Sequence, residues 1–291
     1  MKPAPFSYHA ANSVKEVLDL LTELGPEARV LAGGQSLVPM MNFRVAQPAH
    51  LVDINPVVEL DYLQADDGRL AIGARTRQSA LERSPAAAAR APLLVEAVGH
   101  QAFPTVRHRG TVGGSLAHAD PAAELSAAVL AMDGELVVTG PDGSRTVPAP
   151  EFFRGPFETA IAPQELLTEI RVEAWPAGTG HAFLEFARAY HGFAVVGVAA
   201  LVHLEGGQIA RAAVSLCGVA GTPVRAAIAE EGLVGCTPTP EALEEAAGAA
   251  AAGLDPTSDV QGSGAYRRKL ARVFVRRALR LAVERANGGQ S

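Results

Sequence analysis

The sequence predicts an α+β protein of two domains, and three observations carry the prediction. Short apolar strands alternate with amphipathic helices over residues 1–176. A break rich in Pro and Gly, Pro176-Ala177-Gly178-Thr179-Gly180, interrupts that pattern. Beyond it come three long strand-like runs and then three helices, the order of an antiparallel sheet covered by helices. The first domain is therefore placed at 1–176 and a smaller second domain at 177–291.

The elements follow in chain order. Val14, Val17, Leu18, Leu21 and Leu24 recur at helical spacing, so Asn12 to Leu24 reads as a helix. Ser13 with Glu16 fits a capping box at its start, and Gly25-Pro26 ends it. Ala28 to Leu31 is a short strand, and a Gly-Gly turn leads to a helix from Ser36 to about Arg44. Leu51 to Ile54 and Leu70 to Ile72 are further strands; Thr76 to Arg83 and Leu93 to Gln101 are helices. The alanine runs 86–89 and 249–252 read as compositional bias. Residues 102–120 read as irregular and polar, followed by a helix from Pro121 to Met132 with Pro at its first position. Gly140-Pro141-Asp142-Gly143 joins Glu135–Thr139 to Arg145–Val147 as a hairpin, and Leu166 to Val172 is a strand.

In the second domain His181 to Arg188, Phe193 to Leu204 and Gln208 to Val219 are strands, the last two joined through Glu205-Gly206-Gly207. Pro223 to Glu231, Pro240 to Ala252 and Tyr266 to Arg285 are helices. Six arginines and one lysine before Leu281 give the last helix a charged face, read as solvated or turned to a partner. The tail from Asn287 to Ser291 is expected to fray.

Charge and cysteine content narrow the function. Lys+Arg is 25 against Asp+Glu 31, a net charge of −6, which disfavours nucleic acid as the main partner. Two cysteines, Cys217 and Cys236, cannot hold an iron–sulfur cluster or a thiolate zinc site, and they read as reduced cytosolic thiols. Met1 to Phe6 has no signal-peptide core, and Phe193 to Val202 is about half the length of a membrane span, so a soluble cytoplasmic protein is expected.

Two glycine segments carry the strongest local signal. Ala32-Gly33-Gly34-Gln35-Ser36 lies between a strand and a helix, where consecutive glycines let backbone N–H groups turn toward an anion. An ordinary tight turn reads equally well from these residues alone. Thr111-Val112-Gly113-Gly114-Ser115 repeats the Gly-Gly-Ser pattern before another helix, as though two loops closed on one diphosphate. Neither contains the lysine of an ATP-hydrolysing phosphate loop, and neither gives Gly-x-Gly-x-x-Gly. Asp120 and Glu124 follow; either could accept ribose hydroxyls, or cap a helix and complement its dipole. His100, His108 and His118 lack metal-ligand spacing, and there is no nucleophile elbow. In Tyr190-His191-Gly192-Phe193 an aromatic could lie against a flat ring, although core packing is the commoner use.

Taken together these motifs resemble the flavin-binding medium subunit of molybdenum hydroxylases, the carbon monoxide dehydrogenase and xanthine dehydrogenase group. The resemblance runs from about Pro5 to Ala286. It rests on residues 32–39 (AGGQSLVP), Leu51-Val52-Asp53-Ile54, residues 110–115 (GTVGGS) with Ala119-Asp120-Pro121, residues 265–271 (AYRRKLA), and Val275-Arg276-Arg277-Ala278-Leu279. It implies FAD in a two-lobed fold of the vanillyl-alcohol oxidase type, with lobes of about 1–56 and 57–176, followed by a smaller α+β domain with an antiparallel sheet. It also implies cofactor contacts at Ala32, Gly33, Gly34, Gln35, Ser36, Thr111, Val112, Gly113, Gly114, Ser115, Glu124, Leu167 and Phe193. Glu124 stands where the family usually has Asp, on the ribose side. Phe193 keeps an aromatic near the isoalloxazine without the hydroxyl of a tyrosine, and Glu185 stands where relatives often carry Lys. The implied partners are an iron–sulfur small subunit with [2Fe–2S] clusters and a large subunit with the molybdopterin cofactor, in a dimer of heterotrimers. No acid–base catalyst is implied here, because the redox chemistry belongs to the cofactor. Two other readings are a self-contained flavin oxidase and a non-catalytic binding module.

Overall fold

The computed structural model describes residues 2–66, 68–190 and 192–288. His191, from the aromatic stretch, and residues 289–291 of the tail lie outside the described residues.

The first lobe contains β1 (Ser7–Ala10), α1 (Val14–Leu24), β2 (Ala28–Leu31), α2 (Leu37–Asn42) and β3 (His50–Asp53). The three strands pair in parallel in the order β1-β3-β2. The serine cap forms as expected: Ser13 Oγ accepts from Glu16 N at 3.2 Å. The Glu16 carboxylate reaches back to Asn12 N at 2.8 Å, one residue earlier than a reciprocal capping box would place it. Val17 and Leu21 of α1 are buried with Val52 and Ile54. Leu31 pairs with Asp53, so the segments after β2 and β3 leave the sheet side by side at its carboxyl edge. The sequence reading missed β1, a polar, largely exposed edge strand without apolar alternation.

The second lobe runs through β4 (Leu63–Asp66), β5 (Arg69–Gly73), α3 (Gln78–Glu82), α4 (Pro85–Arg90), α5 (Pro92–His100), α6 (Pro104–Arg107), α7 (Val112–His118) and α8 (Glu124–Ala131). It continues with β6 (Glu135–Gly140), β7 (Gly143–Pro148), α9 (Ala149–Phe152), β8 (Phe153–Gly155), β9 (Glu158–Thr159) and β10 (Leu166–Glu173). Its main sheet is antiparallel, in the order β4-β5-β10-β6-β7.

Three local expectations are corrected in this lobe. The alanine run 86–89 is helix α4, capped by Ser84 Oγ and opened by Pro85. Residues 102–120 are not irregular, since they hold α6 and α7. The helix expected from Pro121 begins at Glu124, because residues 120–122 form a turn: Asp120 Oδ1 accepts from Ala122 N at 2.8 Å, and the Pro121 carbonyl accepts from Gly218 N at 2.7 Å.

The C-terminal part contains β11 (Gly180–Ala187), β12 (Ala194–Glu205), β13 (Gln208–Cys217), β14 (Val224–Arg225), α10 (Ala227–Leu233), α11 (Pro240–Ala252) and α12 (Gly264–Ala286). Its four strands are antiparallel in sequence order. The sheet is covered on both faces, which explains why β12 reads as a continuous apolar run rather than an alternating one. Phe183, Ala199, Leu201 and Cys217 share a core with α5 and α8. Val196, Val198, Val202 and Val214 share another with α11 and α12. Ion pairs join this part to the second lobe: Arg285 to Glu96 at 2.9 Å and Arg225 to Asp133 at 2.7 Å.

The charged face expected on the last helix is only partly solvated. Arg272 and Arg276 pair with Glu244 on α11. Arg267 is buried; it donates to the carbonyls of Val195 and Gly218 at 2.7 and 2.6 Å and clamps the Asp259 carboxylate. Part of the charge in this arginine-rich segment thus anchors β12 rather than facing water.

Candidate functional site

A cavity of about 760 Å³ opens at the carboxyl edge of β2, between the first lobe, the second lobe and the turn before β12. That volume lies within the range of cofactor sites, about 300–1,000 Å³. Twelve of the thirteen expected contact residues line it; Val112, packed into the core, does not. A second groove of about 1230 Å³ lies between α11 and α12, lined mostly by Arg and Glu side chains, several of them ion-paired, and by none of the glycine segments.

The first glycine segment is a backbone cradle. Gly34 has φ +72°, a left-handed conformation that suits glycine. A Cβ on Gly33 would lie 2.7 Å from Gly110 Cα and closer still to the Arg109 carbonyl oxygen, so this position has no room for a side chain. Among the described residues, the N–H groups of Gly33, Gly34, Gln35 and Ser36 donate to no other group of the chain. The Gln35 side chain braces the turn by donating to the Gly33 carbonyl at 2.9 Å. Successive unpartnered amides at one concave turn make an anion-binding nest.

The second segment is built differently. It is not a loop before a helix but the first turn of α7, with Thr111 as its N-cap. Its amides are engaged within the chain: Val112 N donates to Thr76 O, Gly113 N to Ala74 O, both at 2.9 Å, and Gly114 N to Thr111 Oγ1 at 3.0 Å. Gly113 is a close-packing position, since a Cβ there would lie 2.5 Å from Ala74 Cβ. This segment closes the cavity by shape and by Ser115, whose hydroxyl accepts from Gln101 Nε2 at 3.0 Å.

Glu124 lines the cavity and is 7% exposed. Burial pushes its carboxyl up to about 7, and the Glu185 carboxylate adds to the shift. Its own backbone N–H, Gln101 and His100 pull the other way. Glu185 lies behind the cavity, its Oε1 3.7 Å from His100 Nδ1, and it raises the imidazole pKa. Its Oε2 is buried without a hydrogen-bond partner. Protonation of Glu124 is tighter in the folded chain than in the unfolded one, where the carboxyl titrates near 4.5. The stabilisation is complete below about pH 4.5 and is lost as pH rises through about 7, a span of roughly 3 kcal/mol. In reversible urea unfolding, the stability of the wild type relative to Glu124→Gln should therefore fall by about that amount between pH 4.5 and pH 8. A pH-independent difference would show that Glu124 titrates normally.

Phe193 is 70% exposed at the cavity rim, just before β12, so the core-packing alternative does not apply to it. Leu167 of β10 lines the floor. Asp120 spends one carboxylate oxygen on its own turn.

Sequence reasoning missed Gln101, which is buried and lies between Ser115 and Glu124. It missed Phe157, which packs against His118 with ring centroids 5.1 Å apart at the cavity wall. It also missed Asn55 and Arg77. The signal for Asn55 was available: it follows a strand parallel to the one that leads into the first glycine turn.

The FAD binding domain of molybdopterin dehydrogenases matches residues 4–175, and the C-terminal domain of carbon monoxide dehydrogenase flavoproteins matches residues 181–282. The chain is 42% identical to the 6-hydroxypseudooxynicotine dehydrogenase complex subunit alpha of Paenarthrobacter nicotinovorans, over 98% of this chain and 97% of that one. It is 41% identical to the carbon monoxide dehydrogenase medium chain of Hydrogenophaga pseudoflava, over 97% and 98% of the two chains. A solved carbon monoxide dehydrogenase from Hydrogenophaga pseudoflava, lacking the Mo-pyranopterin moiety of its cofactor, superimposes with a TM-score of 0.96 at 43% identity, over 98% of this chain and 99% of that one.

Proposed function

We propose a function from one premise: the chain belongs to the FAD-binding medium subunits of the molybdenum hydroxylase family, of the carbon monoxide dehydrogenase type. On that premise it is the electron-transfer subunit of a larger enzyme, receiving electrons from [2Fe–2S] clusters on an iron–sulfur small subunit and delivering them to an external acceptor. A molybdopterin large subunit oxidises the substrate, and the working unit is a dimer of such heterotrimers. The observation that carries the reading is the first glycine turn, with its unpartnered amides facing a cavity of about 760 Å³.

The residues present fit FAD, because the cradle has no room for a side chain at Gly33 and offers several donors to a diphosphate. When bound, FAD supplies one- and two-electron chemistry. Gly33, Gly34, Gln35 and Ser36 would hold its diphosphate by backbone N–H groups, while Gly113 and Gly114 keep the opposite wall close. Glu124, about half protonated near pH 7, can donate to a ribose hydroxyl in its neutral form and accept from one in either form. Phe193 offers an exposed ring to the isoalloxazine, and Leu167 an apolar floor. Residues 1–176 would bind the flavin while 177–291 position Phe193 and close the site from behind. Both cysteines are free thiols, which suits a reducing, cytoplasmic compartment. Among the described residues no helix is long and apolar enough to cross a membrane.

Rapid mixing tests the role. With the oxidisable substrate, the complete complex should reduce its flavin within one turnover, and the isolated chain carrying FAD should not. Removal of the clusters should stop transfer with FAD still bound. Flavin reduction in the isolated chain at the rate of the complex would make the protein a self-contained oxidase instead.

A further inference from the structure

The two glycine segments are separated by more than seventy residues, yet their backbones touch at Gly33 and Gly110. A polar bridge stands beside that contact. Asn55 Nδ2 donates to the Ala32 carbonyl, at the start of the first segment, at 2.8 Å. The same side chain is fixed from behind, because Asp53 Oδ1 accepts from Asn55 N at 2.8 Å and from Nδ2 at 2.5 Å. Asn55 Oδ1 accepts from Arg77 Nη2 at 2.6 Å, and Arg77 Nη1 donates to the carbonyl of Arg109, next to Gly110. The path from Ala32 O to Arg109 O thus contains one carboxamide and one guanidinium. Neither residue lines the cavity.

Arg77 occupies a costly position. It is half-buried, and the neighbouring guanidinium groups of Arg75 and Arg109 add to burial in disfavouring its charge. Asp53 and Asp61 offset part of this. Simple solvation would place such a cation outward. Its two donated bonds, one to each half of the bridge, account for its staying in.

We propose that Asn55 and Arg77 are positioning residues that set the spacing between the two glycine segments, and through it the grip on the diphosphate of FAD. The inference rests on the flavin reading above. It assigns the pair no contact with the cofactor, only the geometry of the amides and the wall that make that contact. An anion in a nest responds steeply to such geometry, because charge-assisted hydrogen bonds weaken quickly when donors are displaced.

The test is FAD titration of the full-length chain freed of flavin, by calorimetry, alongside thermal melting of the flavin-free protein. Arg77→Met, which keeps length and removes the donors, and Asn55→Ala should each raise the dissociation constant about ten- to hundredfold. Their melting temperatures should fall by no more than about 6 °C, since two or three hydrogen bonds are at stake in a chain of this size. The double variant should bind no more than about threefold worse than the weaker single variant, because the two residues form one unit. Arg77→Lys, able to keep one of the two bonds, should recover part of the affinity. Wild-type affinity in Arg77→Met and Asn55→Ala, with FAD still taken up by the wild type, overturns the bridge and leaves the flavin reading standing. Additive losses that follow the melting temperatures, without recovery in Arg77→Lys, also overturn it, as a merely structural role. A wild-type chain that takes up no FAD overturns both the bridge and the flavin reading.

Discussion

Gly33→Ala is expected to weaken FAD binding by more than about a hundredfold, equivalent to roughly 3 kcal/mol. The added methyl meets backbone on the opposite segment, Gly110 Cα at 2.7 Å and the Arg109 carbonyl oxygen closer still. Backbone cannot rotate away as a side-chain end can, so the two segments must separate. Several charge-assisted bonds to the diphosphate then lengthen together, each worth about 1.5–3 kcal/mol. Gly34→Val acts by another route, through a β-branched residue forced to φ +72°. Gly114→Val should be milder, since its nearest neighbour is the Thr111 hydroxyl, a movable group whose loss as a cap costs about 1 kcal/mol. Gly99→Ala is the control, because a Cβ there meets nothing within 4 Å. Calorimetric or fluorescence titration of all four orders them. Undiminished affinity in Gly33→Ala would mean that the contact between the segments does not govern flavin binding.

Gly180→Ala is expected to cost more than about 3 kcal/mol of stability, by the same kind of conflict in a different place. A Cβ at the start of β11 would lie 2.6 Å from Ala286 N and closer still to the Ala282 carbonyl oxygen, both backbone atoms of α12. The helix would have to lift from the sheet that carries its apolar face. Arg285, which joins α12 to Glu96 and to the His181 carbonyl, would be displaced with it. A melting temperature lowered by about 6–10 °C, or loss of soluble protein, is the expected result. Flavin affinity of the remaining folded protein should change little, since the cavity lies elsewhere. A melting temperature within 2 °C of wild type would show that β11 and α12 can separate cheaply.

The two substitutions separate what could be read locally from what could not. Gly33 stood out because two glycines between a strand and a helix have a physical use that spacing alone exposes. Gly180 stood out only as part of a break between domains; its close approach to α12 depends on a helix a hundred residues later. The alanine run 86–89 looked like bias because alanine carries no amphipathic signal, yet Ser84 and Pro85 are the start signals of a helix and could have been used. From its spacing alone the Gly-Gly pair at 113–114 reads as a second loop closing on a diphosphate. Thr111 two residues earlier is an N-cap, and the chain folds into a helix that consumes those donors internally.

By itself the sequence determined the α+β composition, the order of most elements, the first glycine turn between a strand and a helix, and a set of motifs specific enough to indicate the family. These are properties of neighbouring residues: periodicity, caps, and glycines where φ is positive. Tertiary structure alone decided which distant groups meet. It placed Asn55 between Ala32 and Arg77, sank Glu124 beside Gln101 and His100, turned Arg267 inward from a helix that reads as charged, and left Phe193 exposed at the rim. The reason is physical. Parallel pairing of β2 with β3 and the packing of α5 and α8 on β11–β13 bring together groups tens to more than a hundred residues apart, and the energy of those contacts depends on burial that no local spacing encodes.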